Sequence, residues 1–339
     1  MPIDPNDPQQ VCTNIRRRPA MYVGGTDVNG MTQLVWELVA NSVDQFLAGH
    51  ATGVRVVTSG NHVEVSDDGI GLPFDVAEVN SGNLASSYLQ RLHVTASADG
   101  HAPHVHCGGL HGIGLVAVNV LSSTLHCEAW RNGQLWCQDF QRGVPAGAAH
   151  VTQTGDGRGT RIVMCPDSEI FGETSFDELR MRKHLFEIAH LHPGLRVEFN
   201  DEVFRSKHGL ADYVAIQEPP CRLYGLIDRP VFCTAERIGD ISVNAAAVGL
   251  AEETVWKTWV NGVETISGSH VNGFMNALQD AGWRPAVAAI HVVMHDPRFA
   301  GPTREKLDAP KAAAEIRTGL GPRLSEFCRT HRLGKYSAK

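Results

Sequence analysis

Residues 34–46 read LVWELVANSVDQF. Leu34, Val35, Leu38, Val39, Val43 and Phe46 recur at spacings of three and four, the period of an amphipathic helix. Glu37, Asn41 and Asp44 fall at i, i+4 and i+7 and make one polar stripe along the margin of that apolar face. Every surface helix has a polar side, so the stripe alone carries no function; it gains one only if other segments supply partners.

With 339 residues, 42% of them hydrophobic, the chain is long enough for about two domains with cores of their own. A formal charge of −7 excludes a protein that coats nucleic acid over its whole surface and leaves only a local basic patch to be argued separately. The eight cysteines (12, 107, 127, 137, 165, 221, 233 and 328) include no CxxC pair, and MPIDPNDPQQ lacks the basic-then-apolar form of an export signal. Free thiols in a reducing cytoplasm are the expectation. No apolar run approaches the roughly eighteen residues of a bilayer span, so no membrane contact is expected.

A polar, proline-containing arm precedes RRRPAMYVGGTD and the helix above. In VRVVTSGNHVEVSDDGIGLP, Val54, Val56, Val63 and Val65 alternate around SGN, which predicts a hairpin leading into a glycine-rich turn. A less ordered, histidine-bearing run follows, and CGGLHGIGLVAVNVLSS reads as a glycine-rich loop entering an apolar helix. Strands are expected over 124–130, 134–140 and 159–166, and a helix over 176–191 that HPG ends. A second region begins near 205–220, with strands in RLYGLIDRPVFCTA, DISVNAAAVGL, TVWKTWVNGVETI and AVAAIHVVMHDP and a helix at about 270–281.

Two glycine-rich turns carry chemistry. DDGIGLP sets carboxylates before Gly69 and Gly71, where a bare backbone can approach a planar ligand while an aspartate accepts a hydrogen bond from an exocyclic amine. CGGLHGIG sets Gly108, Gly109, Gly112 and Gly114 at a helix start, a place that favours phosphate. Each alone is weak, since glycine-rich turns mostly just turn. Neither the P-loop pattern nor the Rossmann spacing occurs.

The order decides: a helix with Glu and Asn, a strand ending in DDGxG, GGLHGxG, then a strand led by GT. With RRRPAMYVG, WELVANSVDQFLAGH, VSDDGIGLP, CGGLHGIGLVAVNVLS, QRGVP, GTRIV, VNGVETISGSHVNGF and DPRFAGPTREKL, the chain resembles the ATPase region of the gyrase B subunit and its topoisomerase IV relative, from Arg16 to Leu307. This is the ATPase superfamily shared with MutL, heat-shock chaperones and histidine kinases. The resemblance implies an α+β protein: a two-layer α/β sandwich of the GHKL (Bergerat) ATPase type over 1–210, with a short N-terminal arm, then a smaller α/β transducer domain over 211–339. It implies ATP and Mg2+ as ligands. Glu37 matches the general base, Asn41 the magnesium ligand, and Asp67 the adenine-binding aspartate, helped by Thr160, with Gly71 beside the base. Gly109, Leu110, His111, Gly112, Ile113 and Gly114 match the lid around the triphosphate. Asp44 is given a structural role.

The departures from the family cluster around catalysis. The His four residues before the general base is Gln33, which hydrogen-bonds but does not share a proton near neutral pH. The lid lysines are missing from HVTASADG and at Val105. The transducer's Gln-Thr-Lys reads Pro302-Thr303-Arg304, which keeps the charge on a planar fork, and Lys306 is a stand-in. Each lost phosphate-facing donor costs about 2–4 kcal/mol of transition-state stabilisation by analogy with oxyanion sites, so ATP binding with slow hydrolysis is expected. A paired Glu and Arg become Gln45 and Ile70 together, which strands no buried charge. The arginine that contacts aminocoumarins aligns with Cys137, implying weaker binding of those drugs.

Neutral imidazoles at His101, His104, His106 and His111 could share a metal. That run lacks helical spacing and has only Cys107 near, and GGLHG accounts for His111, so this reading is set aside. Nothing resembles the acidic motifs of a cleavage domain, so DNA cutting by this chain alone is not expected. Three readings remain: a free-standing clamp that homodimerises on ATP, with DNA touched through Arg298, Arg304, Lys306 and Lys311; the ATPase fragment of a complete type IIA topoisomerase; or a non-hydrolysing paralogue that binds a gyrase or topoisomerase subunit or confers drug resistance.

Overall fold

The computed structural model of the protein describes residues 7–78, 82–94, 112–172, 175–217, 230–301 and 304–333. The chain divides into two compact units, residues 1–189 with 194–205, and residues 190–193 with 206–339.

The first unit is built on one mixed sheet. Its strand order is Glu202–Phe204, Arg196–Phe199, Gly53–Ser59, His62–Asp67, Gly159–Pro166, Ser122–Arg131, Gln134–Gln141 and Val144–Pro145, with His150–Thr154 also paired to Gln134–Gln141. The expected hairpin is present, with Ser59 opposite His62 and Gly60 turning at φ +59°. Alternation sends Val54, Val56, Val63 and Val65 into the core, where Leu34, Val35, Leu38, Val39 and Val43 of the helix Val28–Leu47 meet them. Asp27 caps that helix by accepting from Asn29 N and Gly30 N. A layer of helices on one face of a sheet is the expected sandwich.

Several helices go unforeseen in the sequence. The polar arm is helical over Pro8–Arg17, capped by Asp7, and it buries Val11 and Ile15. Leu84–Gln90, capped by Asn83, buries Ala85 and Leu89. In the second unit Pro310–His331 forms a long helix.

The N-terminal helix is locked by charge. Arg16 reaches Asp167 at 2.7 Å and donates to Val120 O at 3.0 Å; Arg142 reaches the same carboxylate at 2.9 Å. Burial pushes the Asp167 carboxyl up, but hydrogen bonds from Arg16 and the Glu169 N–H, and the charge of both arginines, more than offset it and hold it below the usual range. A depressed folded-state value stabilises above the unfolded carboxylate range and is lost as pH falls through the folded value. Asp167→Asn is therefore expected to cost about 1.5–3 kcal/mol at pH 7, the range for hydrogen bonds to a charged group. The gap from wild type should close as pH falls below the ordinary carboxylate range; a constant gap across thermal melts would refute this.

The second unit carries a sheet in the order Val231–Ile238, Ile241–Val248, Val287–Val293, Val255–Val260, Val263–Glu264. Val287–Val293 is buried along its whole length, as a near-continuous apolar run in a covered central strand should be. Helices Ser269–Asp280 and Pro310–His331 cross closely at Gly273, where a Cβ would stand 2.7 Å from Ala313 O. Among the described residues no helix is long and apolar enough to cross a membrane.

Candidate active site

The polar stripe of the long helix is not one surface. Asn41 is exposed and Asp44 half-buried, while Glu37 is 4% exposed and lies inside the unit. The margin position expected from periodicity is thus corrected for Glu37. Gly114, the first residue of the helix Gly114–Val120, makes the burial feasible: a Cβ there would lie 2.2 Å from Glu37 Oε2. Only hydrogen at that position leaves room for the carboxylate.

Gln33 is one turn earlier, and its Nε2 donates to Glu37 Oε1 at 2.8 Å. The amide therefore orients the carboxylate. It does not titrate near neutral pH, so it cannot relay a proton as an imidazole would.

At the strand end, Asp67 and Asp68 do different work. Asp68 turns back to the chain, accepting from Thr52 N at 2.7 Å, Gly53 N at 3.0 Å and the Thr52 hydroxyl. Asp67 accepts from Gly69 N at 2.9 Å, Ser42 Oγ at 3.0 Å and Thr160 N at 3.3 Å. Burial pushes the Asp67 carboxyl above the ordinary aspartate range, and these three donors oppose the rise. Thr160 thus acts through its main chain.

Ser42 was missed in the sequence. It sits beside Asn41 on the long helix and ties that helix to the DDGIG turn. A buried hydroxyl within an apolar period was the available signal.

The turn itself requires glycine. Gly71 holds φ +74°, and a Cβ would lie 2.3 Å from Trp130 O. Gln45, where the family carries a charge, rests on this turn; its Oε1 accepts from Ile70 N at 3.5 Å. The paired loss of Glu and Arg leaves a neutral contact in their place.

Of the expected lid, Gly112 (φ +72°), Ile113 and Gly114 are described, and the Gly112 carbonyl accepts from His93 N at 2.6 Å. Gly109, Leu110, His111, Pro302 and Thr303 lie outside the described residues, as do His101, His104 and His106. Arg304 and Lys306 belong to the second unit and are exposed there. Arg304 has φ +57° and holds its guanidinium 6.0 Å from the centre of the Phe299 ring; Lys306 pairs with Ser267 in a short parallel ladder.

The long helix therefore joins a buried carboxylate at Gly114 to a second carboxylate, Asp67, through Ser42. Asn41 lies one turn from Glu37, and its side-chain oxygen is a hard donor of the kind that could hold Mg2+. Residues 26–170 match the model of the histidine kinase-, DNA gyrase B- and HSP90-like ATPases. They belong to this ATPase family.

Around this ATPase domain the likeness is to gyrase B. The chain is 29% identical to the DNA gyrase B protein of Clostridium acetobutylicum over 92% of its own length and 54% of that protein. It is 35% identical to that of Streptococcus pyogenes over 78% of itself and 42% of the relative. The chain thus spans about half, or less, of the length of the curated relatives it matches. The 43K ATPase domain of Thermus thermophilus gyrase B, solved in complex with an aminocoumarin, superposes with a TM-score of 0.77 at 26% identity, covering 95% of this chain and 90% of that one. The gyrase B protein of Myxococcus xanthus shares the fold with a TM-score of 0.77 at 22% identity, covering 94% and 96%. The fold is that of the gyrase B ATPase region.

Proposed function

We propose that this gyrase-B-like ATPase binds Mg-ATP between the long helix and the DDGIG turn, hydrolyses it slowly, and dimerises when ATP binds, without cleaving DNA by itself. The single observation that carries the reading is the buried Glu37 carboxylate held by Gln33 against Gly114.

In this reading Asp67 accepts the adenine amine, with Ser42 and Thr160 N–H fixing its direction, and Gly71 lets the base lie against bare backbone. Glu37 takes the proton of the attacking water. Mg2+ on Asn41 would neutralise phosphate charge. Slow turnover follows from Gln33, which positions the carboxylate without relaying a proton. Arg298, Arg304, Lys306 and Lys311 are exposed, which suits DNA, although Lys311 is engaged by Glu315 at 3.4 Å.

Calorimetric titration with Mg-ATP tests the binding. Asp67→Asn is expected to weaken it about 10- to 100-fold, the value of about 1.5–3 kcal/mol for a hydrogen bond to a charged group. Light scattering with a non-hydrolysable analogue should move the protein from monomer to dimer, and plasmid incubated with the chain should stay uncut. Wild-type protein that ignores ATP, or hydrolyses it at the rate of an ordinary gyrase B ATPase region, would overturn the proposal.

A further inference from the structure

Strands Ser122–Arg131 and Gln134–Gln141 pair antiparallel, with Glu128 opposite Cys137 and His126 opposite Asp139. Leu125, Cys127 and Ala129 of the first strand enter the hydrophobic core, so His126 and Glu128 project from the other face of the sheet. Directly opposed residues share a face, which brings Cys137 and Asp139 to the same side. The ATP reading uses none of these four.

We propose that His126, Glu128 and Cys137 form a binding site for a zinc-class divalent ion on this outer face. One ligand atom from each, an imidazole nitrogen, a carboxylate oxygen and a thiol sulfur, lies within 4.8 Å of the others. His126 Nε2 and Glu128 Oε1 are 3.0 Å apart. Tetrahedral zinc with bonds of about 2.0–2.3 Å sets its ligand atoms about 3.3–3.8 Å apart, so side-chain shifts of about 1 Å close the site. A set of one thiolate, one imidazole and one carboxylate selects zinc or cobalt over magnesium, which prefers oxygen alone.

The groups behind the ligands are also in place. Asp139 Oδ1 lies 2.7 Å from His126 Nδ1 and would hold the proton there once Nε2 exchanges its contact with Glu128 Oε1 for the ion. Arg161 stands 3.3 Å from Glu128 Oε2 and leaves Oε1 for the metal. A tight turn at Asn132 (φ +50°) and Gly133 (φ +75°) joins the two strands. His126 and Glu128 are about a third and a quarter exposed at the side chain, open enough for an ion to enter. Binding forms metal–sulfur and metal–nitrogen bonds and releases to solvent the Cys137 thiol proton and the proton that His126 Nε2 gives to Glu128, with no redox step.

Cobalt titration of the chelator-treated full chain reads this directly. One equivalent is expected to give a near-ultraviolet thiolate–cobalt band that Zn2+ displaces. Cys137→Ser and His126→Gln should abolish it, Cys107→Ser and Cys233→Ser should retain it, and Asp139→Asn should weaken cobalt affinity about 10- to 100-fold. X-ray absorption of the Cys107→Ser chain carrying one zinc needs no change at the site and should report one sulfur neighbour. Absence of binding, a band that survives Cys137→Ser, a band that Cys107→Ser removes, or a zinc shell without sulfur would each overturn the site.

Discussion

Glu37→Gln is expected to lower the single-turnover rate of ATP hydrolysis about 10²- to 10⁴-fold, the usual contribution of a positioned general base. The substitution keeps shape: the Gln33 Nε2 donor still finds an oxygen at its 2.8 Å position, and Gly114 still offers the space a side chain would occupy. ATP affinity should therefore change little, and the loss should fall on the chemical step. Rapid-quench measurement with enzyme in excess separates the two. An unchanged rate would remove Glu37 from the chemistry, and an equal loss of binding would make it structural.

Gly159→Ala should be the most damaging single methyl in the first unit. Gly159 holds φ +94°, and an added Cβ would stand 1.8 Å from Asp67 O and 3.0 Å from Asp68 Cα. Both neighbours are main chain, Asp67 the last residue of a paired strand and Asp68 just beyond it, and neither can rotate away. Backbone strain of about 1–3 kcal/mol and overpacking of about 1–3 kcal/mol together give about 2–6 kcal/mol. Folding stabilities are only about 5–15 kcal/mol, so this is a large fraction. Gly60 is the control, since φ is +59° but nothing lies within 4 Å of its Cβ, so Gly60→Ala carries strain alone. Urea unfolding midpoints that match for the two variants would show that the approach to Asp67 costs nothing.

Periodicity made much of the fold legible. The long helix and the hairpin follow from apolar spacing, because Val54, Val56, Val63 and Val65 must share one face. The short helices did not follow. Leu84–Gln90 spans seven residues, too few for a period, and depends on the Asn83 cap. Ala312, Ile316, Leu320, Leu324 and Cys328 recur every four residues, yet Pro322 and neighbouring glycines interrupt that reading until helix Ser269–Asp280 packs against it.

The site was legible through motif order and not through physics alone. Nothing in LVWELVANSVDQF says that Glu37 is buried; that depends on a glycine 77 positions later in the chain. Ser42 falls on the apolar period four residues after Leu38, which marks a hydroxyl turned inward but names no partner for it. Its role exists only once the turn at Asp67 is brought alongside.

The three donors on Asp67 differ in heritability. The one from Thr160 is a peptide amide that outlasts a change of its side chain, the one from Gly69 needs glycine because a Cβ would stand 2.9 Å from Asp67 Oδ1, and the one from Ser42 belongs to a replaceable hydroxyl. Selection or engineering can therefore tune this carboxylate from position 42 while the Thr160 amide stays beyond the reach of point mutation, short of proline.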